Sequence, residues 1–199
     1  YVCGGFDGKG FLRSAERYRP SEGKGSWESV APMGQRRHCA AAACLQGRLY
    51  VCGGYNGEEA LSSVERFDPS EGIWEAVTSM EHTRHGAAAT VLDGKLYVCG
   101  GFDGKGFLRS AERYRPSEGK GSWESVAPMG QRRHCAAAAC LQGRLYVCGG
   151  YNGEEALSSV ERFDPSEGIW EAVTSMEHTR HGAAATVLDG KLYVCGGFD

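Results

Sequence analysis

Residues 47–54 read Gly-Arg-Leu-Tyr-Val-Cys-Gly-Gly, an alternating run of side chains that ends in a glycine doublet. Such a run, bounded by glycines, is typical of a short β-strand. Its core, Tyr-Val-Cys-Gly-Gly, begins at five positions, which are Tyr1, Tyr50, Tyr97, Tyr146 and Tyr193. The steps between them are 49, 47, 49 and 47 residues. The sequence is therefore an array of repeats with one such strand in each repeat.

The chain contains two copies of one 96-residue unit. Residues 1–103 recur letter for letter as residues 97–199, and each 96-residue unit contains two diverged repeats, A and B. We expect one domain over 1–199, with repeats in the order A-B-A-B at 1–49, 50–96, 97–145 and 146–192. Residues 193–199 are a seven-residue partial repeat that duplicates the first strand. Because the two units differ at no position, we expect a recent or artificial copying, as in a chain engineered by tandem duplication.

Each repeat divides into four short strands. The predicted strands around the first B repeat are Ala40–Leu45, Arg48–Gly53, Ser62–Phe67 and Ile73–Val77. The segments between them carry the residues that turns require, and no segment shows a helical period over a useful length. Four antiparallel strands every 47–49 residues predict an all-β fold, a β-propeller of four-stranded blades.

The side-chain sizes predict how the blades pack. The run at 40–43 is all alanine and suits the crowded innermost strand. Tyr18 and Trp27 are large enough to fill the wedge between neighbouring blades. Seven positions separate Pro20 from Trp27 in repeat A against five in repeat B, so the turn between the outer strands is longer in A.

The first repeat starts at the second strand of a blade. We expect this blade to take its innermost strand from residues 183–187, yet residues 193–199 duplicate residues 1–7 and compete for the same position. Three arrangements are open: a closed ring of four blades, part of a larger ring, or a chain that a second copy completes.

The chain resembles the kelch repeat over its whole length. The resemblance is carried by the glycine doublet, by the motif Ser-x-Glu-Arg-aromatic at Ser14–Tyr18 and Ser63–Phe67, and by the single Trp27 or Trp74 that follows. The sequence is similar to the kelch domain of BTB-kelch proteins, whose propellers recruit substrates to a cullin-3 ubiquitin ligase or bind actin and other partners. The resemblance implies a cytoplasmic protein-interaction propeller. The BTB domain and cullin-binding linker are not among these residues, so we do not expect them to act alone as a ligase adaptor.

In that family the ligand contacts come mainly from the loops between strands two and three and from those that enter strand one. Carried over to this sequence, the first set is the aromatic residue after the doublet, at Phe6, Tyr55, Phe102 and Tyr151. The second set is the residue after the loop arginine, at His38, His85, His134 and His181. Several relatives have Ser or Asn at the second position, so their ligand preference is not carried over.

The loop arginines are expected on the same rim, at Arg36, Arg37, Arg84, Arg132, Arg133 and Arg180. Guanidinium groups around a concave mouth suit the carboxylates of an acidic peptide. The alternative is a solvated surface with ion pairs between blades. Residues 1–49 carry 8 basic and 4 acidic side chains (+4), whereas residues 50–96 carry 3 and 8 (−5), so adjacent blades have opposite charge. This alternation favours A beside B and can steer association of chains.

The histidines and cysteines allow a second kind of site. Four imidazoles converging on the mouth of the channel could bind a transition metal, but a solvated polar rim is the alternative, and we assign no metal and no cofactor. His82 and His178 are expected to be exposed. The nine cysteines include no Cys-x-x-Cys pair and are expected to be buried, reduced thiols, as in a cytoplasmic protein.

Composition excludes several classes of protein. The formal net charge is −3, which does not favour nucleic-acid binding, and no apolar run approaches the ~18 residues of a membrane-spanning helix. No targeting signal is present, so any address label is expected outside these residues. Enzyme motifs such as Gly-x-Ser-x-Gly and His-Glu-x-x-His are absent. We therefore expect a non-enzymatic, kelch-derived interaction scaffold; a ligase substrate receptor for an acidic peptide is the alternative, and a metal-binding or catalytic propeller comes third.

Overall fold

A computed structural model describes residues 1–117 and 121–199 of the chain. Those residues form β-strands joined by turns, and none of their segments is a helix that could span a membrane. The strands are β1 Val2–Cys3, β2 Ala15–Arg19, β3 Ser26–Val30, β4 Ala41–Leu45, β5 Arg48–Cys52, β6 Val64–Asp68, β7 Ile73–Val77, β8 Ala88–Leu92, β9 Lys95–Cys99, β10 Ala111–Arg115, β11 Ser122–Val126, β12 Ala137–Leu141, β13 Arg144–Cys148, β14 Val160–Asp164, β15 Ile169–Val173, β16 Ala184–Leu188 and β17 Lys191–Cys195.

The strands form five antiparallel sheets. Three of them have four strands each, β4 to β7, β8 to β11 and β12 to β15, and are the second, third and fourth blades. The first blade contains β1 to β3, and β16 pairs with β17 to form a half-blade. The predicted all-β propeller of four-stranded blades is confirmed. Each blade takes its innermost strand from the end of one repeat and its two outer strands from the next, as β4 lies in residues 1–49 and β6 and β7 lie in residues 50–96.

The predicted strand bounds lie within two residues of those observed. The second strand ends one residue early, at Cys52, because Gly53 adopts a φ of 63°. A Cβ atom at Gly53 would overlap the carbonyl oxygen of Arg84. Only glycine fits where the loop of the next repeat crosses this close to the backbone. The longer turn of the second A repeat includes residues 118–120, which lie outside the described residues.

The alanine-rich strands occupy the innermost position, as predicted. β4, β8, β12 and β16 lie side by side in that order and line a channel of about 380 Å³. Alanine suits this position because the inner strands of neighbouring blades approach more closely than the outer ones. The inner strands therefore fix where the loops that enter them converge.

The contacts between blades are repeated along the chain. Between the second and third blades, the rings of Tyr50 and Tyr114 have their centroids 5.5 Å apart. Trp123 Nε1 donates to the carbonyl of Thr78 at 2.8 Å. Leu45, Tyr114 and their apolar neighbours form one buried cluster. Burial of such a large side chain contributes about 1.5–3 kcal/mol to stability.

The predicted wedge role of Tyr18 and Trp27 is wrong for these two residues, although it holds for Tyr114 and Trp123, their copies in the second unit. Tyr18 is 45% exposed and Trp27 is 56% exposed, whereas Tyr114 is fully buried. Within the described residues, no sheet lies against the outer face of the first blade. The same side chain is buried or exposed according to whether a blade stands next to it.

The expected exchange of a terminal strand is also wrong. In the described part of the chain, β16 pairs with β17 alone, and β1 occupies the edge of the first blade beside β2. The first blade therefore lacks an innermost strand, and the half-blade lacks its two outer strands.

Candidate ligand-binding face

Two sets of predicted site residues come together through backbone hydrogen bonds. Each loop histidine forms an isolated antiparallel bridge with the aromatic residue after a glycine doublet. In the second blade, the N–H groups of His38 and Tyr55 each donate to the other's carbonyl at 2.9 Å. The same bridge joins three further pairs, His85 with Phe102, His134 with Tyr151, and His181 with Phe198. One end of the propeller therefore presents imidazoles beside aromatic rings.

Phe6 differs from the other aromatic residues of this set. It bridges to Phe11 rather than to a histidine, and 53% of it is exposed. Its ring lies 5.3 Å from that of Phe11 and 6.3 Å from that of His38. Phe6 therefore extends the aromatic surface at the first blade.

The four histidines form a row. Successive ring centroids from His38 to His85, His134 and His181 are 5.9, 5.2 and 5.6 Å apart. No ring contact among the described residues joins His181 back to His38, so the four imidazoles form an open row rather than a closed ring. Burial, followed by the charges of His85 and His181, lowers the pKa of His134 to about 4. This imidazole is neutral at physiological pH and keeps a nitrogen lone pair for hydrogen bonding or metal binding.

The prediction that the loop arginines line the rim is wrong for Arg37, Arg84 and Arg133. All three are buried, and each ion-pairs with a carboxylate of the blade that its loop enters. The N···O distances are 3.0 Å for Arg37 to Glu65, 2.9 Å for Arg84 to Glu112 and 3.0 Å for Arg133 to Glu161. These arginines also donate to backbone carbonyls, as Arg37 does to those of Gly53 and Ser63. They therefore act as clamps within the fold.

The remaining loop arginines stay accessible. Arg36 and Arg132 are exposed. Arg180 is partly exposed and donates through Nη1 to the carbonyl of Gly196 at 2.6 Å. His82 and His178 are exposed, as predicted. The basic rim is reduced to a few separated side chains.

A cavity of about 630 Å³ opens between the second and third blades on this face. It is lined by Tyr55, Glu58, Glu59, Ala60, Thr83, His85, Phe102, Asp103, Gly104, Phe107 and His134. Its walls are aromatic rings, and imidazoles from the histidine row lie at its inner end. Its size is that of pockets that take a small molecule or one or two side chains of a protein partner.

The charged groups of this cavity are acidic. Glu58 and Glu59 are exposed on the loop of the second blade, and Asp103 lies across from them on the third. Backbone N–H groups of Gly106 and Lys105 donate to Asp103 and lower the pKa of its carboxyl. The cavity is therefore negatively charged at neutral pH, and it favours cationic or apolar groups over carboxylates.

Cys39 and Cys135 lie in the histidine row, although the sequence indicated only buried thiols. Cys39 Sγ is 3.3 Å from His38 Nε2. The neighbouring Cys135, and then His85, lower the pKa of Cys39 to about 4, and the contact with Cys39 raises the pKa of Cys135. All nine cysteines are free.

Phe107 was also missed as a site residue. Its ring contacts those of His134 and Tyr151 at 5.7 and 5.5 Å. A signal was present in the sequence: repeat A has phenylalanine at this bridge position, whereas repeat B has alanine, as at Ala60. Residues that differ between the two repeat types line the face.

The chain matches known proteins by sequence and by fold. The model of the KLHDC2/KLHL20/DRC7 Kelch-repeats domain matches residues 1–197. The solved structure of YjhT is similar, with a TM-score of 0.79 and 19% sequence identity over 98% of this chain and 71% of that chain. At this identity the similarity shows the fold alone. No curated protein matches the chain.

Proposed function

The chain belongs to the KLHDC2/KLHL20/DRC7 Kelch-repeats domain family, and on that basis we propose that it is a non-enzymatic scaffold that holds a protein partner in the cavity between its second and third blades. Kelch-repeat propellers are a protein-interaction fold and are generally not enzymes. The unbroken identity of the two 96-residue units supports an engineered origin. The free thiols fit a reducing compartment, and the cytoplasm is part of this proposal.

The cavity itself carries the proposal. Tyr55, Phe102 and Phe107 give it aromatic walls, and Glu58 and Glu59 stand at its mouth. Aromatic anchors in a concave, partly desolvated site supply much of the affinity of protein interfaces. The acidic side chains add attraction for lysine or arginine. The partner segment that fits this cavity is basic and carries an aromatic or aliphatic side chain.

A substrate-recognition propeller of a cullin-3 ubiquitin ligase adaptor, binding a short acidic peptide, is the alternative. It needs accessible guanidinium groups, but Arg37, Arg84 and Arg133 are buried in ion pairs. Arg36 and Arg132 remain for such a ligand. The charge of the cavity therefore favours the basic segment.

Two labelled peptides distinguish these ligands by fluorescence anisotropy. The probes are Gly-Ser-Arg-Trp-Arg-Ser-Gly and Gly-Ser-Glu-Trp-Glu-Ser-Gly. We expect the basic probe to bind more tightly, with an affinity that weakens as salt is added. Phe107→Ala should weaken its binding by roughly 10-fold or more, because the variant removes an aromatic wall.

Phe6→Ala is the control, because Phe6 is an exposed aromatic residue of the same face that lies outside the cavity lining, and its ring contacts are with Phe11 and His38, which do not line the cavity either. It should leave the affinity unchanged. Tighter binding of the acidic probe, or an equal loss in both variants, would contradict a basic ligand in this cavity.

A second role, self-association by blade completion, is favoured by the strand register. β9 pairs with β10 over four residue pairs, from Ala111↔Cys99 to Tyr114↔Leu96. β1 gives β2 only two pairs. β17 is the copy of β9, and its second edge is free within the described residues. We propose that β17 of one chain pairs with β2 of a second copy and displaces the shorter β1.

The contacts between blades have matching partners at the two edges. Arg180 is the copy of Arg84, and Glu16 is the copy of Glu112. Pairing of β17 with β2 of a second copy would therefore bring Arg180 to Glu16 of that copy, as Arg84 pairs with Glu112 within the chain. Glu16 is exposed, so it is available for this ion pair. Tyr146, the copy of Tyr50, lines part of a cavity of about 330 Å³ on the fourth blade. This cavity would accept Tyr18 of the second copy, the counterpart of Tyr114, which contacts Tyr50 within the chain.

Light scattering on a size-exclusion column tests this association. We expect masses above 21.4 kDa that rise with concentration. Glu16→Arg should return the chain to the monomer mass, and Arg180→Glu in the same chain should restore the larger species. Glu22→Arg, an exposed charge reversal in the same repeat, is the control and should change nothing. A monomer at all concentrations, or the same mass for Glu16→Arg and Glu22→Arg, would rule this association out.

A further inference from the structure

Two groups of histidine and cysteine side chains lie at the inner end of the candidate face. In each group, one ligand atom from every residue lies within 4.8 Å of the others, and the groups are His38, Cys39 and His85, and His134, Cys135 and His181. The Sγ to Nε2 distance within the adjacent pair is 3.3 Å in the first group and 3.7 Å in the second. In a tetrahedral zinc site, with Zn–S of about 2.3 Å and Zn–N of about 2.0 Å, these atoms are roughly 3.5 Å apart.

The backbone holds both thiols in a conformation that cysteine rarely adopts. Cys39 has a φ of 49° and Cys135 a φ of 50°. In repeat B the same positions are Gly86 and Gly182, with φ values of 65° and 76°. A residue with a side chain costs about 1–2 kcal/mol in this left-handed region. Repeat A therefore keeps a thiol where repeat B has the residue that this backbone favours, which is typical of a functional position.

The glycine of repeat B makes room for the thiol of the next repeat. A Cβ atom on Gly86 would lie 2.9 Å from Cys135 Sγ and would overlap His134 Nε2. Backbone hydrogen bonds join Gly86 to both cysteines, at 2.9 Å to the carbonyl of Cys39 and at 2.7 Å from the N–H of Cys135. The alternation of Cys and Gly thus brings thiol and imidazole together without steric conflict.

One nitrogen in this cluster lacks a partner. His85 Nε2 is buried, and among the described residues no group forms a hydrogen bond with it. An unpaired buried polar atom costs about 1–3 kcal/mol, so such atoms are rare unless something binds them. The surroundings of His85 supply a thiol and a second imidazole, which are the co-ligands that a metal needs.

We propose that each of the two groups binds one zinc ion, so that the chain holds two. Two imidazole nitrogens and one sulfur are ligands that zinc takes in a tetrahedral site, and they leave a fourth position. Magnesium and calcium prefer oxygen ligands, which these groups do not offer. His85 and His134 also line the cavity between the second and third blades, so water can reach the fourth position. This inference does not depend on a peptide binding there.

Zinc content after loading and dialysis, measured under a phosphine reductant, tests the proposal. The wild type should retain two ions per chain. Cys39→Gly combined with Cys135→Gly should retain none. This variant should fold, because glycine is the residue that repeat B has at the same backbone conformation. Circular dichroism verifies its β-structure.

Cys44→Ser combined with Cys140→Ser is the matched control, since these thiols lie on the inner strands β4 and β12 outside both groups. It should retain two zinc ions. Cobalt substitution gives a second readout, the near-ultraviolet charge-transfer band of a cobalt–thiolate bond, which the glycine variant should lose. Fewer than two zinc ions on the wild type, or an unchanged zinc content or cobalt band in the glycine variant, would overturn the proposal.

Discussion

The interface between the second and third blades and the outer edge of the fourth blade are built from the same residues, but only the interface has its contacts filled. Arg84 is fully buried and ion-pairs with Glu112 at 2.9 Å. Its copy Arg180 is partly exposed and reaches a backbone carbonyl of its own half-blade. Tyr50 packs on an aromatic ring of the next blade, whereas its copy Tyr146 lines an open cavity. The surroundings of a side chain, rather than its identity, decide whether it stabilises the propeller.

In each of the first three repeats, one loop arginine fastens the repeat to the blade that follows it. In each filled interface the guanidinium enters the next blade and meets the Ser and Glu of the Ser-x-Glu-Arg motif, as Arg37 meets Ser63 and Glu65. A buried charge of this kind is tolerated because every donor finds an acceptor. At an unfilled edge the same arginine is in reach of solvent and of a second chain.

The largest effect is expected from removal of an interior clamp. Arg84→Ala leaves the Glu112 carboxylate buried without its guanidinium partner, and loss of one member of a buried ion pair lowers the free energy of unfolding by about 3–5 kcal/mol. Arg180→Ala removes the same side chain from the edge, where the cost should be below about 1 kcal/mol. Urea unfolding of both variants, followed by circular dichroism at low protein concentration, measures the two losses.

The comparison of Arg84→Ala with Arg180→Ala also tests self-association. Above the concentration at which chains associate, Arg180→Ala should become more destabilising, because the arginine then clamps a blade of the second copy. Equal losses of unfolding free energy for Arg84→Ala and Arg180→Ala at low concentration would show that the buried ion pair adds no stability beyond that of an arginine at the edge.

The fold could be predicted from the sequence because its signals are local. The alternating run at 48–52 and the glycine doublet at 53–54 define a strand and its end within seven residues. Their recurrence every 47–49 residues defines the blade. The alanine run at 40–43 predicted the inner strand correctly, since steric crowding at the channel depends on side-chain size alone.

The arginine positions could not be predicted in this way. Arg37 and its partner Glu65 are 28 residues apart and belong to loops and strands that only the packing of blades brings together. Read alone, an arginine beside a histidine in a loop resembles a surface residue. The regular recurrence of Arg-His and Ser-x-Glu in every repeat was the available signal, because paired charges that recur together can satisfy each other at each interface.

The cysteine positions show a different limit. Composition alone favours a buried, inert thiol for Cys39. Alignment of the two repeat types places Cys39 opposite Gly86. A cysteine at a position where the other repeat has glycine indicates a left-handed backbone that is energetically unfavourable for a residue with a side chain. The distances to His38 and His85 depend on the convergence of loops from two blades, which no single repeat reveals.

The smallest effect is expected from the indole hydrogen bond. Trp123 Nε1 donates to the carbonyl of Thr78 across the interface at 2.8 Å, and Trp123→Phe removes this donor while keeping an aromatic ring against Tyr114. Loss of one such hydrogen bond lowers the free energy of unfolding by about 1 kcal/mol. Trp27→Phe makes the same change at an exposed position, where the ring contact with Tyr18 is similar at 5.5 Å. Because both variants keep their ring contact, any difference between their urea midpoints reports the interface itself, and equal midpoints would mean that the neighbouring blade adds nothing through this residue.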